Sequence, residues 1–174
     1  LPISASPVIS GWTIRRLLEA GPGSLQVSLD LGLHRSTVQV HEESAELPEG
    51  RRLSLGKLQD EFSDPEDCVV IGQKRCLKVY IFSERTGKYY KLYQPREDSS
   101  PTIVIGGATM HAIVDMTPWE DAEEKVGALR GHGGECLDTC FGLGYSAQLL
   151  PGRGFERAVT CERDPNVLRI AEIN

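Results

Sequence analysis

Hydrophobic and polar positions change rhythm several times along the chain, and each change marks an element. In "SGWTIRRLLEAGPGS" Ile14, Leu17 and Leu18 share one helical face, Ser10 stands at the cap position, and Gly21-Pro22 supplies the stop. A short opening helix is predicted. "SLQVSLDLGLHRSTVQVHE" alternates instead, with Leu25, Val27, Leu29 and Leu31 before a polar turn and Val38 and Val40 after it, as in a half-buried hairpin. "SLGKLQDEFSDPED" reads as a second short helix closed by Pro65. In "LKVYIFSERTGKYYKLYQ" Leu77, Val79 and Ile81 alternate with Lys78, Tyr80 and Phe82, Gly87 lies in the turn, and Tyr89 to Tyr93 form the returning strand. Its tyrosines read as cross-strand packing or as a binding face. "PTIVIGG" adds a strand, and "QPREDSSP" is a loop between them.

From Thr117 the period becomes helical. "TPWEDAEEKVGALR" has Thr117 at the cap, Pro118 at the first helical position and Glu120 three residues after the cap, with Trp119, Ala122, Val126 and Leu129 at helical spacing. "GHGG" ends it. "ECLD" then reads as a strand, "GYSAQLL" as a helix, "RAVTCE" as a strand, and "DPNVLRIAEIN" as a helix capped by Asp164 with Pro165 behind it. The order β-α-β-α predicts a parallel sheet. The expected fold class is therefore α+β: a small β-rich domain with an opening helix over residues 1–108, then a linker helix and an α/β unit over residues 109–174.

Composition adds limits. The 174 residues are 40% hydrophobic and 25% charged, ordinary for a globular protein. No apolar run approaches the roughly 20 residues that span a bilayer, and "LPISASPVIS" has neither the basic segment nor the apolar core of a secretory signal. A cytoplasmic protein without membrane association is expected. The net charge is −6, with 13 Lys/Arg against 14 Asp/Glu in residues 1–100 and 6 against 11 thereafter, so no basic run points to DNA. Cys68, Cys76, Cys136, Cys140 and Cys161 lack paired metal-site spacing and read as small buried apolar side chains. With His34, His41, His111 and His132 scattered, no metal site is expected. Leu1 in place of Met, and an end at Asn174 inside a helical pattern, read as a fragment.

The chemistry concentrates in "LDTCFGLGYSA". A helix that begins directly after a strand offers free backbone N–H groups, and Gly142 and Gly144 let a ligand approach them. Glu162 ends the next strand 18 residues beyond Gly144, where a carboxylate can accept hydrogen bonds from ribose hydroxyls. "GLGYSA" matches the dinucleotide pattern G-x-G-x-x-A, and Glu162 would then favour NAD over NADP. Asp138 argues against that reading, because an unpaired carboxylate inside a central parallel strand carries a large desolvation cost. If the strand ends at Asp138, the acid emerges at the carboxyl edge of the sheet, where ligands bind.

The order acid-x-small-x-Gly-x-Gly resembles the first motif of class I S-adenosylmethionine-dependent methyltransferases. "PTIVIGGATMH", "TPWED", "LDTCFGLGYSA" and "CERDPNVLRIAEIN", in that order, resemble a family of predicted, functionally uncharacterised methyltransferases known mainly from archaea. The resemblance covers roughly residues 101–174 and implies that residues 109–174 begin a Rossmann-like methyltransferase fold. S-adenosyl-L-methionine is the implied cofactor. Glu162 would hold the ribose, with Arg163 beside it, and Asp138 would face the methionine amino end. Thr139, Cys140, Phe141, Gly142 and Gly144 would line the cofactor, Cys140 standing where such enzymes usually have a glycine.

Tyr145 would touch the acceptor side or pack, and His111, Thr117 and Trp119 would close the pocket or serve as surface, cap and core. Catalytic residues would lie beyond Asn174, so the fragment alone is expected to be inactive. The methyl acceptor is open between RNA, protein and small molecules, acidity making RNA less attractive, and an oligomer is compatible. Two other classes stand beside this one. Spermidine synthase-like aminopropyltransferases also place a β-rich domain before such a fold, but their glycine loop carries an internal Asp that "CFGLGY" lacks. A non-catalytic or partner-dependent module is the other, since the 44 residues from Gly131 onward cannot bury both faces of a sheet alone.

Overall fold

The computed structural model describes residues 6–131 and 133–174; residues 1–5, part of the opening stretch, and His132 lie outside the described residues. Strand β1 (Val8–Ser10) is buried throughout and runs straight into helix α1 (Gly11–Glu19). Ser10 takes the N-cap position, as its place in the sequence predicts, but its side chain makes no cap bond. The first helical amides find backbone acceptors instead: Gly11 N–H donates to the Asp67 carbonyl and Trp12 N–H to that of Pro65, each at 2.9 Å. With those donors satisfied, a capping hydroxyl is not needed. A Cβ at Gly11 would strike the Asp64 carbonyl oxygen, so this close approach requires glycine.

The predicted hairpin is the start of a four-stranded antiparallel sheet, β2 (Gly23–Val27), β3 (Ser36–Val40), β4 (Ser44–Glu46) and β5 (Arg52–Ser54), in sequential order. Leu29 and Leu31 continue the alternation in sequence, yet β2 stops at Val27. Beyond it, the Ser28 hydroxyl, the Asp30 carboxylate and His34 tie the turn together, and Leu31 adopts φ 55. Helix α2 (Leu55–Glu61) follows, its Lys57 N–H donating to the Ser54 hydroxyl at 3.4 Å. Strand β6 (Cys68–Ile71) lies between β1 and β7 (Cys76–Lys78), antiparallel to both. Ile9, Ile14, Leu17, Val27, Val38 and Val69 form the centre of one hydrophobic core with the residues around them.

The strand predicted across Leu77 to Phe82 divides at Val79. Leu77 pairs with Val70, whereas Ile81 pairs with Tyr90 in a different sheet. Val79 N–H still donates to the Cys68 carbonyl at 2.8 Å, and β8 begins at the next residue. A change of partner leaves period-two alternation intact, so the sequence pattern does not register it. The chain forms two compact units at this point: one runs to Val79 and includes Arg96–Asp98, the other comprises Tyr80–Pro95 and Ser99–Asn174. Strands that sequence reading groups with residues 1–108 thus belong to the same unit as residues 109–174.

In the second unit β8 (Tyr80–Ser83), β9 (Lys88–Tyr93), β10 (Thr102–Ile105) and β11 (Ala108–Thr109) form an antiparallel sheet in the order β11-β10-β9-β8. Helix α3 (Pro118–Gly127) opens with the predicted capping box: Glu120 N–H donates to Thr117 Oγ1 at 3.2 Å and Thr117 N–H to Glu120 Oε2 at 2.6 Å. It buries Ala122 and Val126; Leu129, placed on the same face by spacing, lies past the helix end and is exposed. Strands β12 (Glu135–Asp138) and β13 (Arg157–Thr160) pair in parallel, joined through α4 (Tyr145–Leu149) and a 3-10 turn over Leu150–Arg153. Helix α5 (Pro165–Ala171) follows β13, Asp164 capping it by accepting from Asn166 N–H at 2.9 Å. The protein is mixed α+β, with three antiparallel sheets, one parallel pair and five α-helices among the described residues. None of these helices is long and apolar enough to cross a membrane.

Candidate cofactor cleft

Strand β12 ends at Asp138, and the chain turns at Thr139 instead of continuing extended. The parallel ladder closes just beyond: Cys161 N–H donates to the Asp138 carbonyl and Phe141 N–H to the Cys161 carbonyl, both at 2.8 Å. Loop residues 139–144 are thereby pinned to the end of β13. The Asp138 carboxylate sits at this edge, Oδ1 accepting from Cys140 N–H at 3.1 Å and Oδ2 from the Thr160 hydroxyl at 2.9 Å. Glu162 turns back onto the same loop. Its Oε2 accepts from Gly142 N–H at 3.1 Å and its Oε1 from Asp164 N–H at 2.9 Å.

Both glycines take left-handed backbone, Gly142 at φ 57 and Gly144 at φ 84. A Cβ at Gly142 would lie 2.8 Å from Met110 Sδ, and one at Gly144 would lie 2.8 Å from the Phe141 ring. Their lack of a side chain therefore serves the tight packing of the loop. Cys140, in contrast, has no positive φ, so its Cβ is compatible with the backbone there. The expectation of buried thiols holds for Cys68; Cys76 and Cys136 are half-buried, and Cys140 and Cys161 are exposed where β12 and β13 give way to loops. Helix α4 has five residues, shorter than the sequence suggests.

These residues border a cleft of about 450 Å³ in the second unit. Asp138, Cys140, Phe141, Gly142, Tyr145 and Glu162 line it, and so does His111. Thr139, Gly144 and Arg163 lie off its wall, as do Thr117, which forms the α3 capping box, and Trp119, whose ring meets that of Tyr145 edge-on at 5.5 Å. Tyr145 is packed: it is buried, its hydroxyl donates to the Pro101 carbonyl at 2.8 Å, and only part of its surface reaches the cleft. Met110, Lys125 and Asp164 also line the space and escape sequence reading as site residues. Met110 and His111 directly follow β11, and the quoted block "PTIVIGGATMH" is the only local signal for them.

The cleft is electronegative. Asp138, Glu162 and Asp164 contribute three carboxylates, while Lys125 pairs with Asp121 at 2.5 Å. Burial would raise the Asp164 carboxyl, but hydrogen bonds from the Tyr90 hydroxyl at 2.6 Å and the Asn166 amide hold it below the ordinary carboxylate range. Burial lowers His111 to about 4, overriding the opposite pull of Asp121, so the imidazole is neutral at pH 7; its Nδ1 is 2.8 Å from Thr102 Oγ1.

No protein-family model matches the chain. The chain is 45% identical over 87 residues, 49% of its length, to the Uncharacterized protein MJ1233 of Methanocaldococcus jannaschii. That match spans 29% of the archaeal protein.

Proposed function

We propose that the chain is part of an S-adenosylmethionine-dependent methyltransferase and that β12, α4, β13 and α5 begin its Rossmann-like cofactor fold. The observation that carries this reading is the convergence of Asp138, at the tip of a parallel strand, and Glu162, turned onto the glycine loop, on one electronegative cleft. The donor set fits the cofactor. Each Glu162 oxygen uses one acceptor site on a backbone amide and keeps capacity for a ribose hydroxyl. Asp138 is likewise held by Cys140 and Thr160 with acceptor capacity to spare for an ammonium group. A dinucleotide diphosphate would face three carboxylates and a lysine already neutralised by Asp121, whereas a sulfonium with an ammonium group meets favourable charge.

When bound, S-adenosylmethionine supplies a methyl group on sulfur for in-line displacement with a neutral thioether leaving. In this reading Glu162 orients the ribose, Asp138 orients the amino end, and the backbone from Cys140 to Gly142 lines the cofactor. His111, uncharged on the cleft wall, adds no repulsion toward a cationic donor. Alignment of donor and acceptor is the main task of such a site.

Isothermal titration of the full-length protein with S-adenosylmethionine, decarboxylated S-adenosylmethionine and NAD tests the reading. S-adenosylmethionine is expected to bind best, and Glu162→Ala to weaken it roughly tenfold or more with an unchanged circular dichroism spectrum. Preference for NAD, or no binding by any of the three, overturns the proposal; preference for the decarboxylated compound replaces methyl transfer with aminopropyl transfer.

A further inference from the structure

The chain as a whole carries a net charge of −6, yet its first unit holds a cleft of about 340 Å³ lined by five basic side chains and one acidic one. Arg51 precedes β5 and Arg52 opens it, Lys57 lies in the first turn of α2, and Lys74 and Arg75 sit on the turn between β6 and β7; Glu61 is the acid. The fold builds this concentration. Gly72 N–H donates to the Arg75 carbonyl at 3.1 Å, and a Cβ at Gly72 would come within 2.6 Å of that oxygen, so glycine is required for the turn that presents the two cations.

Arg51 is braced at the base of the cleft: Nη1 donates to the Ile71 and Gly72 carbonyls at 2.6 and 3.3 Å, and Nη2 lies 3.4 Å from Glu49. Arg52 pairs with Glu46 at 2.8 Å. Lys57, Lys74 and Arg75 are exposed, and no ion pair among the described residues takes up their charge. Leu53, Leu58 and Phe62, all buried, provide an apolar wall beside them. Such low-dielectric walls concentrate the field of like charges and raise the local concentration of a counter-ion.

We propose that this cleft binds a small phosphorylated ligand, its phosphate held by Lys57, Lys74 and Arg75 and its uncharged part set against Leu53 and Phe62. A guanidinium fork beside two ammonium groups matches a dianion with three acceptor oxygens; a single carboxylate would leave part of that charge unmatched. The volume suits a small molecule. This site stands on the first unit alone and is independent of the function proposed for the cleft of the second.

Isothermal titration of the full-length protein with inorganic pyrophosphate, adenosine 5′-monophosphate and adenosine tests the assignment. Pyrophosphate and the monophosphate are expected to bind and to weaken as salt is raised, while adenosine binds at least tenfold more weakly than the monophosphate. Lys74→Ala with Arg75→Ala, both exposed turn positions, should weaken the phosphate probes roughly tenfold or more, and Glu162→Ala should leave pyrophosphate affinity unchanged. Pyrophosphate binding without the monophosphate still supports a phosphate site and makes the free anion its ligand. Absence of binding by both, equal affinity for adenosine, or affinity that the double variant does not change overturns the proposal.

Discussion

His111 shows how much one half-buried ring decides. Its Nδ1 meets the Thr102 hydroxyl, its ring stands 5.2 Å from that of Tyr145, and burial lowers its pKa to about 4 from an ordinary 6.5. The unfolded chain takes up a proton as pH falls through 6.5, and the folded chain does not until about 4. The neutral ring therefore contributes stability that is fully present above 6.5 and is lost between 6.5 and 4. Urea denaturation across that range should show the loss in the wild type and its absence in a His111→Gln variant; parallel pH profiles would refute the assignment. Sequence alone gives His111 no such environment, because Thr102 and Tyr145 flank it only after β10 and α4 have formed.

Capping separates two helices that look alike in sequence. Thr117 and Glu120 reciprocate hydrogen bonds at the start of α3, whereas the Ser10 side chain makes none at the start of α1, whose first amides are held by Asp67 and Pro65. Thr117→Ala should therefore cost about 0.5–2 kcal/mol, and Ser10→Ala distinctly less, as measured by chemical denaturation of each variant. Equal losses would contradict the geometry. The box at α3 was legible because all of its parts lie within four residues. Strands β4, β5 and β6 carry no comparable local signature; each is three or four residues long and becomes a strand through its partners in the sheet. The switch at Val79 was hidden for the same reason, since alternation survives a change of sheet.

At the scale of the whole molecule, protection from solvent is uneven. Strands β1 and β6 are almost wholly buried in the first unit, whereas β13 is exposed at all four positions and Leu137 in β12 is 63% exposed. Amides of Glu135–Asp138 and Arg157–Thr160 should therefore exchange with deuterium about ten times faster or more than those of Cys68–Ile71. Comparable protection in the two regions would show the parallel pair to be covered in solution. The β-α-β-α order was readable from periodicity, and the tip position of Asp138 followed from the cost of burying its carboxylate within a central strand. The basic cleft of the first unit was not, because its five cations come from three separate segments that only folding assembles.

The hydrogen bond from Tyr90 to Asp164 joins residues 74 positions apart and fastens the start of α5 to a strand of the antiparallel sheet. A ribosome delivers that tyrosine well before the aspartate, so the surface that receives the helix can be in place when the helix emerges. Losing the phenolic oxygen would leave the earlier sheet untouched and delay only the docking of α5 onto it.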